Sequence, residues 1–178
     1  VGAGLLAVFG AAGALEFINL REFERSRLAQ AQRALDTNLG VLRTALAPLG
    51  TEWRVEGGRL TLGGQPLEGR NDIVDTVKQV AGGVATIFQD DLRIATNVVR
   101  PDGGRGTGTR LAPGPAFDAA VTRGQAFRGT NVILGQPHLT VYDPIRDAQG
   151  RQIGMLFVGV SLAGIEAEVA ARTREAVL

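Results

Sequence analysis

Val84-Ala-Thr-Ile-Phe-Gln89 is the first of five strand-like segments that together indicate a β-sheet in this chain. Four similar segments follow it, each rich in apolar and β-branched residues and each bounded by turn-forming residues. They read Leu92-Arg-Ile-Ala-Thr-Asn-Val98, Gly129-Thr-Asn-Val-Ile-Leu-Gly135, Leu139-Thr-Val-Tyr-Asp-Pro-Ile145 and Ile153-Gly-Met-Leu-Phe-Val-Gly-Val160. This composition is typical of strands. It predicts five of them, at about 84–89, 92–98, 126–134, 137–146 and 152–161.

Two further short segments, 53–56 and 59–62, flank Gly57-Gly58 and predict a hairpin. Because the turns between neighbouring strands are short, we expect antiparallel pairing. The segment Gly103-Gly-Arg-Gly-Thr-Gly-Thr109 superficially resembles a phosphate-binding loop. It lacks the lysine and the following Ser or Thr of that motif, and no strand leads into it, so we interpret it as a mobile loop.

Helical patterns surround these strands. Leucines recur at alternating steps of four and three between Leu35 and Leu49, an a/d seam within a predicted helix that Pro48-Leu49-Gly50 ends. The seam suits docking on the domain's own sheet or on the same helix of a second subunit, and both remain open. A short helix capped by Asn71 or Asp72 should stop at Gly82, and another should run from Pro115 to Gly124.

The predicted fold class is therefore α+β, with a PAS-like antiparallel sheet flanked by helices on one side. The chain divides into four predicted parts: the end of a transmembrane or signal segment (1–15), a long N-terminal helix (16–50), the sheet domain (51–161) and a C-terminal exit helix (162–178).

The first of these parts is apolar, with no charge before Glu16. At fifteen residues it is shorter than the ~20 that a membrane span needs. Since the chain begins with Val, we expect it to be cut from a longer protein, with this run as the outer half of a span or a processed signal segment. The alternative is a buried core helix.

Composition argues against several classes of function. The net charge is +1 without a basic stripe, which disfavours nucleic-acid partners. There is no Cys, one His and two serines, Ser26 and Ser161, neither of them in a nucleophile motif. We therefore predict no catalytic residues, no metal site and no cofactor, and thus a protein that is not an enzyme.

Four sequence pieces, met in order, carry a family resemblance. They are Ala85-Thr-Ile-Phe-Gln89, Arg93-Ile-Ala-Thr-Asn-Val98, Gly108-Thr-Arg-Leu111, and Leu134-Gly-Gln-Pro137 followed by Tyr142-Asp-Pro-Ile145. Over about residues 53–160 the chain resembles the single Cache domain, class 3, the extracytoplasmic sensor domain of bacterial chemoreceptors and sensor kinases. The family commonly has an aromatic residue where this chain has His138.

The resemblance implies a receptor in the cell inner membrane with this domain on the periplasmic side. Such domains bind small metabolites, often carboxylates, and pass a conformational shift to a cytoplasmic module. We therefore expect a small-molecule ligand, most simply an organic acid, and a homodimer formed through the N-terminal helix.

Six residues are the predicted ligand-binding set: Arg93, Asn97, Arg110, His138, Thr140 and Tyr142. Strand alternation should place Arg93, Ala95 and Asn97 on one face, away from the helices. The same rule should place His138, Thr140 and Tyr142 together on one face of the strand at about 137–146. Arg110 would close over the ligand. Arginine offers a carboxylate two parallel hydrogen bonds.

Each prediction has an alternative. Arg93 could be a surface ion-pair residue, and His138 a structural histidine. A ligand-free Cache-like module that acts as a dimerising spacer is the main alternative function. A membrane-tethered enzyme is the second alternative function. The sequence argues against it, because it offers no plausible nucleophile–base pair.

Overall fold

The computed structural model describes the backbone of residues 3–163, and the side chains of residue 22 and residues 25–163. Its helices are α1 (Ala3–Leu46), α2 (Asn71–Ala81) and α3 (Pro115–Phe117). A 3-10 turn, Ala47–Leu49, follows α1, and a π-helical turn, Asp118–Thr122, extends α3. The strands are β1 (Trp53–Glu56), β2 (Arg59–Leu62), β3 (Gln65–Pro66), β4 (Val84–Gln89), β5 (Leu92–Thr96), β6 (Phe127–Ile133), β7 (Gln136–Arg146) and β8 (Gln152–Ser161).

Five strands form the central sheet in the order β5-β4-β8-β7-β6, and every neighbouring pair is antiparallel. Tight turns join β4 to β5 and β6 to β7, with Asp90 and Leu134 in the left-handed region. The antiparallel prediction is confirmed. The last strand, β8, lies between β4 and β7, a long-range pairing that closes the sheet. The β1–β2 hairpin instead pairs with β3 in a separate three-stranded sheet.

Helices α1 and α2 cover one face of the central sheet. The leucine seam of α1 is buried there, with Leu35, Leu39, Leu42 and Leu46 in one apolar cluster with sheet residues such as Val141. Burying a leucine stabilises the fold by roughly 1.5–3 kcal/mol, so these four are a major contribution to stability. The seam therefore docks on the domain's own sheet.

Helix α2 has the predicted bounds and buries Ile73, Val74 and Val77. It ends at Gly82, whose φ of 77° is left-handed and favours glycine. The predicted side-chain cap is not formed, because Arg70 takes the cap position. Asn71 instead accepts a hydrogen bond from the backbone N–H of Thr96, at 3.2 Å.

The opposite face of the sheet is covered by α3 and by the loop that precedes it. Val98, Leu111, Ala116 and Ala120 pack there over Phe88, Tyr142, Met155 and Phe157. The expectation of helices on one side alone is thus wrong, since α3 packs against the other face. A second apolar core lies between the sheet and the loop.

The ends of the chain are less fully described. Helix α1 begins at Ala3, well before the predicted residue 16. Among the described residues no helix is both long and apolar enough to cross a membrane. The predicted nature of residues 1–15 stays a prediction, and the predicted exit helix lies outside the described residues from 164 onward.

Candidate functional site

A β-bulge in β5 decides which side chains face the site. Phe88 pairs with Arg93 and Ile87 pairs with Ala95, which leaves Ile94 as the extra residue. A bulge reverses the alternation of side chains beyond it. Arg93 therefore shares a face with Phe88, whereas Ala95 belongs to the core on the helix side.

Asn97 consequently lies on the helix side, and the prediction that it shares a face with Arg93 is wrong. Its Oδ1 accepts from the N–H of Ala85 at 2.8 Å, and its Nδ2 donates to the carbonyl of Val74 at 2.7 Å. The side chain is 4% exposed. Through these two hydrogen bonds Asn97 joins β4 to α2.

Arg93 is buried on the other face, 4% exposed. Its Nη1 donates to Thr109 Oγ1 and to the carbonyl of Arg110, both at 2.9 Å. Its guanidinium carbon lies 5.1 Å from the centre of the Phe88 ring, a cation–π distance. Its Nε is buried and has no hydrogen-bond partner in the described part of the chain. The guanidinium is thus held at one nitrogen, and its Nε side is free.

The charge of Arg93 is also uncompensated. Among the described residues no carboxylate forms an ion pair with it. Burial lowers the pKa of Arg93, and the neighbouring Tyr142 opposes that shift. An arginine stays charged in proteins, and a buried charge without a counter-ion is costly. The position is therefore electrostatically prepared for an anion.

The structure places His138, Thr140 and Tyr142 on one face of β7, the face that Arg93 shares. Thr140 Oγ1 donates to the carbonyl of Gly129 at 2.8 Å, and His138 Nδ1 lies 2.9 Å from the carbonyl of Gln136. Both side chains are buried, His138 being 7% exposed.

Tyr142 is the centre of an aromatic cluster. Its ring centroid lies 4.9 Å from that of Phe157, 6.1 Å from that of Phe127 and 6.2 Å from that of Phe88. Asn131 Nδ2 donates to the phenol oxygen at 3.0 Å. Burial raises the pKa of Tyr142 to about 12, although Asn131 and then Arg93 act in the opposite direction. The phenol is therefore neutral at any physiological pH.

Arg110 contributes its backbone to Arg93, while its own side chain forms an ion pair with Asp91 and is 65% exposed. It is one residue of a loop that lies along the open edge of β5. The N–H of Arg93 donates to the carbonyl of Thr109, and the N–H of Gly108 donates to the carbonyl of Arg93, each at 2.9 Å. The segment predicted to be a mobile loop is thus joined to the strand by backbone pairing at residues 108 and 109.

Sequence reasoning missed two residues of the site, Thr109 and Asn131. Thr109 lies in Gly108-Thr-Arg-Leu111, one of the four pieces that carry the family resemblance, so the sequence offered a reason to consider it. Asn131 lies on β6, and only the β6–β7 register, which pairs it with His138, brings it to the Tyr142 hydroxyl.

Comparison with known proteins identifies the family and supports the fold. The sequence model of the single Cache domain 3 family matches residues 65–172, more than half of the chain. The chain belongs to the single Cache domain 3 family. Domains of this family are sensor and ligand-binding modules.

The fold of this Cache domain is similar to the crystal structure of the sensor domain of DcuS from E. coli. The TM-score is 0.50 at 19% sequence identity, over 82% of this chain and 98% of that one. No curated protein matches the sequence. The predicted PAS-like α+β class is confirmed.

The site face of the Cache domain is packed. Phe88, Tyr142, Met155 and Phe157 are at most 1% exposed. Three surface grooves of about 340, 400 and 440 Å³ lie elsewhere, along α1 and α2, and neither Arg93 nor Tyr142 lines any of the three. Arg93 is therefore covered in this structure, without an opening through any of these three grooves.

Proposed function

We propose that this Cache domain is the extracytoplasmic ligand-binding domain of a membrane signal receptor, a chemoreceptor or a sensor histidine kinase, and that it takes a small organic acid at Arg93. The observation that carries the proposal is the buried guanidinium of Arg93, which has no carboxylate partner among the described residues and an unpaired Nε. We assign the domain no catalytic activity.

The free side of Arg93 has the shape that a carboxylate needs. Nε and Nη2 of an arginine point the same way and bind both oxygens of one carboxylate. This chain uses that arrangement at Arg70, whose Nε and Nη2 each lie 2.9 Å from an oxygen of Asp72. The loop between β5 and α3, residues 97–114, is called the covering loop. Through Thr109 and Arg110 it occupies only Nη1 of Arg93, so the Nε–Nη2 edge is left for the ligand.

Neighbouring side chains supply further contacts. The Tyr142 hydroxyl, which already accepts from Asn131, keeps its own proton to donate. Thr140 and His138 lie farther along the same strand and would contact the rest of a small ligand. Arg110, on the covering loop, would close over it. Asn97 would act indirectly, by holding β4 to α2 behind the site.

A thermal-shift screen against small mono-, di- and tricarboxylates tests the proposal. A ligand that binds only the folded state stabilises it by mass action and so raises Tm. The free energy of unfolding increases by about 2.7 kcal/mol at a ligand concentration of a hundred times Kd. We expect one acid class to raise Tm in the parent and to leave Arg93→Ala and Arg93→Met unshifted. Arg151→Met removes an exposed arginine in the turn between β7 and β8, where it pairs with Asp147, and should respond like the parent. Equal shifts in the parent and both Arg93 variants would refute the carboxylate site.

The packed site face favours a second candidate, a ligand-free spacer. Rings of Phe88, Tyr142 and Phe157 fill the space over the sheet, as a purely structural core would. If no acid shifts Tm, the spacer is the better description. Binding with the expected dependence on Arg93 would exclude it.

The remaining parts of the proposal concern the whole receptor. Residues 1–15 would be the end of a membrane span, with this domain on the periplasmic side of the inner membrane. A homodimer would form through α1. Since Leu35, Leu39, Leu42 and Leu46 are buried against the sheet, the dimer would use other faces of that helix.

A further inference from the structure

One polar side chain lies in the apolar interface between α1 and the sheet. Asn38 is 1% exposed and lies within the leucine seam, between Leu35 and Leu42. The other side chains of α1 that are buried, among those described, are alanine and leucine. A buried amide in such a position must have hydrogen-bond partners, because leaving it unsatisfied is costly.

Asn38 finds one of those partners across the interface. Its Oδ1 accepts from the backbone N–H of Gly83 at 3.0 Å, and its Nδ2 donates to the carbonyl of Ala34 at 2.6 Å. A Cβ on Gly83 would lie 2.1 Å from Asn38 Oδ1. Only glycine permits this close approach, so the sequence at both positions serves the contact.

The same short segment is bound from its other side by Asn97. The Nδ2 of Asn97 lies 3.5 Å from the carbonyl of Gly83, and its Oδ1 accepts from the N–H of Ala85 at 2.8 Å. Residues 83–85 are thus held between two buried amides, one on α1 and one just after β5. We call this the Asn38–Gly83–Asn97 junction. Because β5 carries Arg93, the junction joins α1 to the site strand.

Apolar packing alone would position α1 less sharply along its axis. The hydrophobic effect is non-directional, and a leucine seam tolerates small displacements. A hydrogen bond is directional, so sliding the helix by one residue, about 1.5 Å, would lengthen and bend the Asn38–Gly83 bond and weaken it. Two ion pairs also join α1 to the sheet, Asp36–Arg128 and Arg43–Asp143, but they are partly exposed and such pairs are weak.

We propose that the junction fixes the axial position of α1 on the sheet, with Asn38 as the positioning residue. A single buried asparagine sets register in helix–helix seams by the same physics. The proposal deepens the proposed sensor function by saying how α1, the helix proposed to form the dimer, is held on the sheet that carries the site, and its test needs no ligand.

Crosslinking in the ligand-free chain tests it, because the chain contains no Cys. The reporter is Asp36→Cys with Arg128→Cys, whose parent side chains meet at 2.8 Å between α1 and β6. We expect Asn38→Leu to slow crosslinking by a short bifunctional thiol reagent several-fold. Amide exchange of residues 83–85 should accelerate about tenfold, the effect of losing one buried hydrogen bond. Thr37→Ala, an exposed neighbour on the same helix, is the control and should change neither.

An Asn38→Leu protein that crosslinks and exchanges like the parent would overturn the proposal. Should Asn38→Leu fail to fold, Asn38→Ala removes the same bond with a smaller side chain and is judged by the same two readouts. The proposed ligand site is tested separately. If Asn38→Leu changes both readouts and no acid raises Tm, the junction is supported and the ligand site is refuted. If Asn38→Leu changes neither readout and an acid raises Tm, only the junction is refuted.

Discussion

Arg93 and Phe88 lie opposite each other across the β4–β5 pair, with the guanidinium carbon 5.1 Å from the ring centre. The ring face offsets part of the cost of burying the cation, by up to ~2 kcal/mol in a desolvated setting. Two neutral oxygens of the covering loop offset a further part. No described carboxylate neutralises the charge of Arg93. The arrangement therefore suits the binding of an anion better than it suits the stability of the ligand-free domain.

The first prediction follows from that cost. Replacing a buried charge with an apolar side chain of similar length is often neutral or stabilising. Arg93→Met should therefore leave the free energy of unfolding, measured with urea, within about 1 kcal/mol of the parent. Tyr142→Ala, in the same cluster, should lose about 3–5 kcal/mol. A loss of 3 kcal/mol or more in Arg93→Met would show that Arg93 is structural.

Tyr142 is the only tyrosine of the chain, so its titration can be observed directly. The tyrosinate absorbance of the folded protein should appear with a midpoint of about 12, against ~10 in the unfolded chain. Because the folded-state pKa is raised, its stabilising effect is present below pH ~10 and is lost as the pH rises toward ~12. The loss amounts to about 2–3 kcal/mol.

Tyr142→Phe is the control for that titration, since it removes the ionisable group and keeps the ring. Its unfolding free energy should lack this part of the alkaline decline. A folded-state midpoint near 10 in the parent would mean that the phenol is accessible to water and that the site face is open.

Two glycines give a matched pair of stability predictions. Gly83→Ala forces a Cβ to within 2.1 Å of Asn38 Oδ1, and we expect it to lose about 2–4 kcal/mol through overpacking and a broken buried hydrogen bond. Gly40→Ala adds a Cβ in the middle of α1 that meets no described atom within 4 Å. The free energy of unfolding of this variant should rise by about 0.5–1 kcal/mol, because alanine has a higher helix propensity than glycine. Thermal or urea unfolding of both variants checks the pair, and equal effects would contradict it.

His138 is the only histidine of the chain, and substitution tests its proposed contact with the acid. His138→Ala should weaken acid binding about fivefold or more, the effect of losing one hydrogen bond. Binding constants of the parent and the variant, measured at one pH, check this. An unchanged affinity would remove His138 from the site and leave it as a structural partner of the Gln136 carbonyl.

Strand and helix bounds were largely predictable, because they follow from local composition. Strands β4 and β8 and helix α2 have the predicted bounds, and Gly82 ends α2 as expected. The face shared by His138, Thr140 and Tyr142 follows from the two-residue period of an unbroken strand. The Cache resemblance rested on these same local pieces, and the family match over residues 65–172 confirmed it.

Local patterns were therefore sufficient to predict the elements, the fold class and the shared face of the three β7 site residues, since each depends on neighbours along the chain. The other features depend on long-range contacts in the folded chain. The bulge at Ile94 separates Arg93 from Asn97, and a bulge depends on how β4 and β5 pair. The leucine seam fits two partners equally, and only long-range packing selects the sheet. Contacts such as Asn38 with Gly83 depend on distances of a few ångströms between residues far apart in sequence, and no local pattern encodes them.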